Sequence, residues 1–157
     1  MHARLGDVLV RMGVLTAAQR DEVLGLQASS GRPFGALAEE MFGVSTKAIE
    51  RAWAAQYSEM VGQVDLAKER SDTVVHELVE RRQAWQFQLL PLRFEDGHLL
   101  MATTEESLPR AMRFVAWAVG VPASFVIADE NALVNRLQAA YPMPGGIDTI
   151  RALRQSA

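Results

Sequence analysis

The sequence predicts an α+β protein, in which an all-helical tandem repeat of two helical hairpins precedes a small α/β subdomain with about three strands. Three observations carry that prediction. Apolar residues recur at helical spacing through the first 62 residues. Within that stretch a pattern of short helix, turn and longer helix is written twice, with an offset of 29 residues, or 30 around the glycine turns. From residue 63 onward, short apolar runs and an Asp-Gly turn alternate with helical patterns. The expected organisation is a repeat subdomain over 1–62, an α/β subdomain over 63–141 and a flexible or docking tail over 142–157.

In the first copy, Leu5, Val8, Leu9 and Met12 share one helix face, and Gly13 stops that helix. Thr16 and Gln19 form a capping box that starts a second helix running to Gln27. Ser29-Ser30-Gly31-Arg32-Pro33 breaks the pattern. In the second copy, Phe34, Leu37, Ala38 and Met41 line a third helix that Gly43 ends. Ser45 caps a fourth helix, with Ile49, Trp53, Tyr57 and Met60 on one stripe.

In the second half, Ser71 or Asp72 caps a helix carrying Val74, Val75, Leu78 and Val79, with the Arg81-Arg82 pair on a solvated face. A strand is expected from Phe87 to Phe94, and Asp96-Gly97 suits the positive φ angles of a tight hairpin turn. The return strand runs from Leu99 to Thr103. Ser107 and Pro109 start a helix with Ala111, Met112, Val115 and Val119, which Gly120 stops. A short apolar strand follows from Ala123 to Ala128, and Asp129 caps a last helix with Leu133, Val134, Leu137 and Tyr141. In the tail, Ile147, Ile150 and Leu153 form one stripe of a short helix that is marginal alone. Trp53 and Trp117 are expected in the core, Trp85 half-exposed, and His76 and His98 at the surface.

Composition narrows the function classes. The 157 residues are 49% hydrophobic and 22% charged, with a net charge of −3, so the chain lacks the basic balance of a dedicated DNA or RNA binder. The absence of cysteine excludes disulfides, thiol catalysis and Cys-ligated zinc, and fits a cytosolic protein. The longest nearly apolar run, 114–128, is broken by Gly120 and Pro122 and is too short to span a bilayer. The only lysines, Lys47 and Lys68, do not follow a glycine, so there is no phosphate-binding G-x-x-x-x-G-K-[ST] loop. There is no G-x-S-x-G elbow, and His2, His76 and His98 have no metal-ligand spacing. The expectation is a non-enzyme with no catalytic residue, no metal and no cofactor.

The first copy contains Arg4-Leu5-Gly6, Leu9, Gly13, Leu15, Leu24 and Gln27, and the second runs from Pro33-Phe34-Gly35 to Gln56. Beyond them come Val64-Asp65-Leu66, Glu77-Leu78, Leu90-Pro91-Leu92, Asp96-Gly97, Met101-Ala102 and Arg113-Phe114 before Gly120. In order and spacing this resembles the N-terminal domain of the type II secretion and type IV pilus assembly ATPases, over residues 3 to 141. The resemblance implies a regulatory and protein-docking module. It implies partners in the secretion or pilus machinery, either an inner-membrane platform component or a separate ATPase. It further implies a cytoplasmic protein, with no membrane insertion of its own, recruited to the inner membrane through a partner. In one branch of the family the tandem repeat binds cyclic di-GMP. The corresponding candidates here are Arg4, Leu5, Gly6, Leu9, Gly13, Leu24, Gln27, Arg32, Phe34, Gly35 and Gln56.

The chemistry suits such a ligand, because arginine can pair with phosphate or a guanine edge and amides both donate and accept. Arg4 reads equally as a solvated terminal arginine, and Gln27 and Gln56 as helix-end amides bonded to nearby backbone. The chain departs from the family pattern at Arg20, where leucine is expected. Its second copy departs further, with Pro33 in the leading basic place although Arg32 is adjacent, Ala38 and Trp53 for leucine, and Phe42 in the place of the turn glycine. The alternative expectation is therefore a purely structural adaptor without a nucleotide ligand.

Overall fold

The computed structural model describes residues 3–143. The chain divides into two compact units after Met60. The apolar stripe expected at Ile147, Ile150 and Leu153 lies outside the described residues.

The first unit consists of four helices: α1 (Leu5–Arg11), α2 (Ala17–Ser30), α3 (Phe34–Phe42) and α4 (Thr46–Val61). The Thr16 hydroxyl accepts from the Gln19 amide at 3.1 Å, and Gln19 Oε1 accepts from the Thr16 N–H at 2.9 Å, closing the capping box that starts α2. That helix runs three residues past the expected Gln27, because Ser29 and Ser30 stay helical and only Gly31, left-handed at φ 70°, ends it. Ser45 Oγ accepts from the Ala48 N–H at 3.1 Å and opens α4. The core is Val8, Leu9, Leu15, Val23, Phe34, Leu37, Ala38, Val44 and Ala52. On α4 the fully buried positions are small, Ala52, Ala54 and Ser58, while Ile49, Trp53 and Tyr57 are half-buried and Met60 is 54% exposed. The expected large stripe thus lies between Ala52 on one side of the helix and Ala54 and Ser58 on the other.

The second unit opens with two 3₁₀ turns, Leu66–Lys68 and Thr73–Leu78, followed by α5 (Arg81–Phe87). Then come β1 (Leu90–Glu95), β2 (His98–Thr103), α6 (Leu108–Ala118), β3 (Ala123–Ile127) and α7 (Glu130–Ala140). The sheet has the order β1-β2-β3, with β1 antiparallel and β3 parallel to β2. Asp96 and Gly97 turn the hairpin with φ of 53° and 81°. Asp129 caps α7 by accepting from the Ala132 N–H at 3.2 Å.

Two expectations are corrected before the sheet. The segment with Val74, Val75, Leu78 and Val79 is a 3₁₀ turn and not an α-helix, so it buries only Val75 and Val79 and leaves Val74 72% exposed. Phe87 belongs to the end of α5, not to a strand. The Gln83 side chain reaches back to the Glu80 N–H at 3.3 Å, making a new helix start that carries the chain to Phe87. Gln88 then turns the chain at φ 53°, and β1 begins at Leu90.

Trp85, expected half-exposed, is fully buried, and its indole Nε1 donates to the Tyr141 carbonyl at 2.8 Å. The Tyr141 hydroxyl donates to the His76 carbonyl at 2.7 Å, and Arg81 Nη1 donates to the Pro142 carbonyl at 3.3 Å. His76 is half-buried rather than solvated, with its ring nitrogen 2.8 Å from Ser71 Oγ and its ring 5.5 Å from that of Tyr141. Burial lowers its pKa, and the Arg136 charge lowers it further. Trp117, expected in the core, is 75% exposed, since α6 turns Leu108, Ala111, Phe114 and Val115 inward and places Trp117 past the edge of that stripe. It meets Phe114 edge-on at 5.7 Å, and Phe114 stacks on Phe87 at 4.4 Å.

Candidate functional site

The first unit contains a cleft of about 210 Å³. It forms where the start of α1, one face of α2 and the start of α3 meet. Arg4 is the residue before α1, and its N–H donates to Asp7 Oδ2 at 3.4 Å. The other Asp7 oxygen accepts from Arg20 Nη1 at 3.2 Å, which ties the start of α1 to α2. Arg20 Nε reaches Asp21 at 3.2 Å, so two carboxylates hold one guanidinium in place. Leu24 and Gln27, a turn and two turns further along α2, extend that wall. Leu5, Gly6 and Phe34 complete the lining.

The floor depends on glycine. A Cβ on Gly6 would lie 2.8 Å from Phe34 Cζ and 3.0 Å from Arg20 Cγ, closer than carbon atoms pack. The second copy repeats the arrangement with the roles crossed. A Cβ on Gly35 would lie 3.0 Å from Ile49 Cγ2 and 3.9 Å from Leu5 Cδ2. Each glycine therefore receives the apolar side chain that precedes the other, Phe34 on Gly6 and Leu5 on Gly35. The wall residue also differs, Arg20 in the first copy and Ile49 at the matching position of the second.

Of the residues singled out in the sequence, Arg4, Leu5, Gly6, Leu24, Gln27 and Phe34 come together around this cleft. The other five lie elsewhere. Leu9 is fully buried in the core. Gly13, at φ 77°, turns the chain after α1. Arg32 pairs with Glu40 at 2.6 Å on the surface. Gly35 lies against Ile49, and Gln56 donates its amide to the Ala3 carbonyl at 3.2 Å. Asp7 and Arg20 line the cleft without having been singled out as site residues. Their signal was present: Asp7 lies one helical turn after Arg4, and Arg20 is a charge at a position where the repeat calls for an apolar residue.

The cleft offers two guanidinium groups, one carboxylate, one amide and three apolar side chains around a bare backbone floor. Neither the Arg4 guanidinium nor the Gln27 amide makes a side-chain hydrogen bond among the described residues. The chemistry of such a set is complementary to a planar group that is polar at its edge and carries an anion. It holds no nucleophile-base pair, and the described residues contain no group of three His, Asp or Glu side chains placed to hold a metal ion. No described helix is long and apolar enough to cross a membrane.

The model of the MshEN domain family matches residues 47–147. The chain belongs to this family. The match covers more than half of the sequence but begins after the cleft, which is reached by structural similarity instead. A solved structure of MshE with cdg shares 25% identity at a TM-score of 0.51, covering 88% of this chain and 99% of that one. The N-terminal domain of XpsE is 19% identical at a TM-score of 0.50, covering 90% of this chain and 99% of that one, and shows the shared fold. No curated protein matches the chain. The MshEN chain thus has the fold of the N-terminal domain of type II secretion and type IV pilus assembly ATPases, and the similarities fall on that domain rather than on an ATPase core.

Proposed function

We propose that this MshEN chain is a non-catalytic regulatory and docking module of a secretion or pilus machine, and that its tandem repeat binds cyclic di-GMP. The observation that carries the ligand reading is the cleft, because residues from three separate segments, 4–6, 24–27 and 34, converge on it with arginine, amide and apolar groups together. Arg4 supplies charge for a phosphate or two donors for a guanine edge. Gln27 supplies a donor and an acceptor, while Leu24 and Phe34 supply the faces that cover a base. The likeness to MshE with cdg supports the same ligand class. Docking would bring the module to an inner-membrane platform component or a separate ATPase, from the cytoplasmic side.

Titration calorimetry of cyclic di-GMP into the purified chain, with GTP as control, tests the ligand. The expected result is selective binding at micromolar Kd or tighter, abolished by Arg4→Ala with the melting temperature nearly unchanged. No heat, together with no thermal shift in excess ligand, refutes it. A second reading, a purely structural adaptor, is favoured by the second copy, where Pro33, Ile49 and Trp53 stand opposite Arg4, Arg20 and Leu24. In that case the isolated chain still captures a machinery partner but ignores the nucleotide.

A further inference from the structure

The two copies are matched in backbone and unmatched in chemistry. In the first copy, Arg4, Asp7 and Arg20 place two cations and one anion on the cleft wall. The matching positions of the second copy are Pro33, Ala36 and Ile49, and none carries charge. Its closing amide, Gln56, already donates one N–H to the Ala3 carbonyl, unlike Gln27 of the first copy. A two-fold ligand needs two equivalent half-sites, and here one half has lost its polar contacts.

We infer that the cleft is a complete one-nucleotide site, in which every polar contact to a single guanine nucleotide unit comes from the first copy and Phe34 of the second adds only an apolar face, with Arg20 setting specificity for its phosphate. The inference rests on the nucleotide reading above and narrows it. The cleft of about 210 Å³ gathers the charged and amide groups of the first copy, while the matching positions of the second copy offer the other half of a cyclic dinucleotide no charge. Arg20 is already ordered for the task. Asp7 and Asp21 hold its Nη1 and Nε, which leaves Nη2 without a partner among the described residues. A guanidinium fixed in this way loses little freedom when a phosphate arrives.

The consequence is a ratio of affinities. If both copies gripped a cyclic dinucleotide equally, cutting the ligand in half would halve the binding free energy, and a micromolar Kd would become millimolar, about 1000-fold weaker. A one-sided site holds 5′-GMP within about tenfold of cyclic di-GMP. The experiment is titration calorimetry of each nucleotide into the wild-type chain, then into Arg20→Leu and Trp53→Leu, with each fold checked by circular dichroism. The inference expects the tenfold limit to hold, Arg20→Leu to weaken both nucleotides tenfold or more, and Trp53→Leu to change neither. Cyclic di-GMP binding more than about tenfold tighter than 5′-GMP overturns the one-sided site and leaves the proposed function standing. Trp53→Leu weakening cyclic di-GMP as much as Arg20→Leu does the same. Binding of neither nucleotide to the wild-type chain overturns both. The wild-type ratio is decisive even if Arg20→Leu fails to fold.

Discussion

Replacing Gly6 by alanine adds one methyl group at the point where α1 receives Phe34 and Arg20. The added carbon would sit 2.8 Å from Phe34 Cζ, on a ring that is itself buried in the core of the first unit. Forcing an extra carbon into such a contact costs about 1–3 kcal/mol. Alanine in place of helical glycine returns about 0.5–1 kcal/mol through backbone entropy. The strain wins, and the expected outcome is destabilisation of up to about 2 kcal/mol. Gly25 is the internal control. It sits mid-helix in α2, exposed, with nothing within 4 Å of its would-be Cβ. Gly25→Ala therefore keeps the entropy gain without the strain and should stabilise by about 0.5–1 kcal/mol. Thermal melts of the two variants beside the wild type should move in opposite directions, by a few degrees each. If Gly6→Ala raises the melting temperature as Gly25→Ala does, the close approach of α1 and α3 is not what glycine serves there, and the argument for the bare floor fails.

Three further outcomes follow from other contacts. Trp85→Ala should cost about 3–5 kcal/mol, because it empties a fully buried site and strips the Tyr141 carbonyl of its donor, whereas Trp117→Ala should stay within about 0.5 kcal/mol; denaturant titration separates them. His76 has a folded pKa below its unfolded 6.5, so the unfolded chain binds the extra proton, and stability present above pH 6.5 is lost as the pH falls toward and past the folded value. Melting temperatures measured from pH 7.5 to 5 should fall on that account, and His76→Gln should flatten the slope. Gly97→Val places a β-branched residue at φ 81° and should lower stability by about 1–2 kcal/mol or more, read as a shifted denaturant midpoint.

Local chemistry was readable directly from the residues. Thr16 with Gln19, Ser45, Asp129 and the Asp96-Gly97 pair each act within a few positions of themselves, and each acts as its type dictates. What stayed hidden depends on distant partners. Trp85 can be fully buried without an unpaired donor because a carbonyl 56 residues away accepts from it, and nothing near position 85 announces that. The segment before α5 misled because Val74, Val75, Leu78 and Val79 fit helical spacing, while the Glu80–Gln83 box that restarts the chain lies just past them. The cleft was legible in part. The glycines, Arg4 and Gln27 follow from the repeat, but the role of Arg20 needs Asp7 brought to it from another helix.

The pins around Tyr141 have a mechanical consequence. Where the chain leaves α7, the Tyr141 carbonyl is held by Trp85, its hydroxyl by the backbone of His76, and the next carbonyl by Arg81. A pull on the polypeptide past residue 143 is therefore loaded onto α5 and the preceding 3₁₀ turn as well as onto α7. The departure point of the chain is a moored one, from which tension passes straight into the centre of the second unit instead of peeling away its last helix.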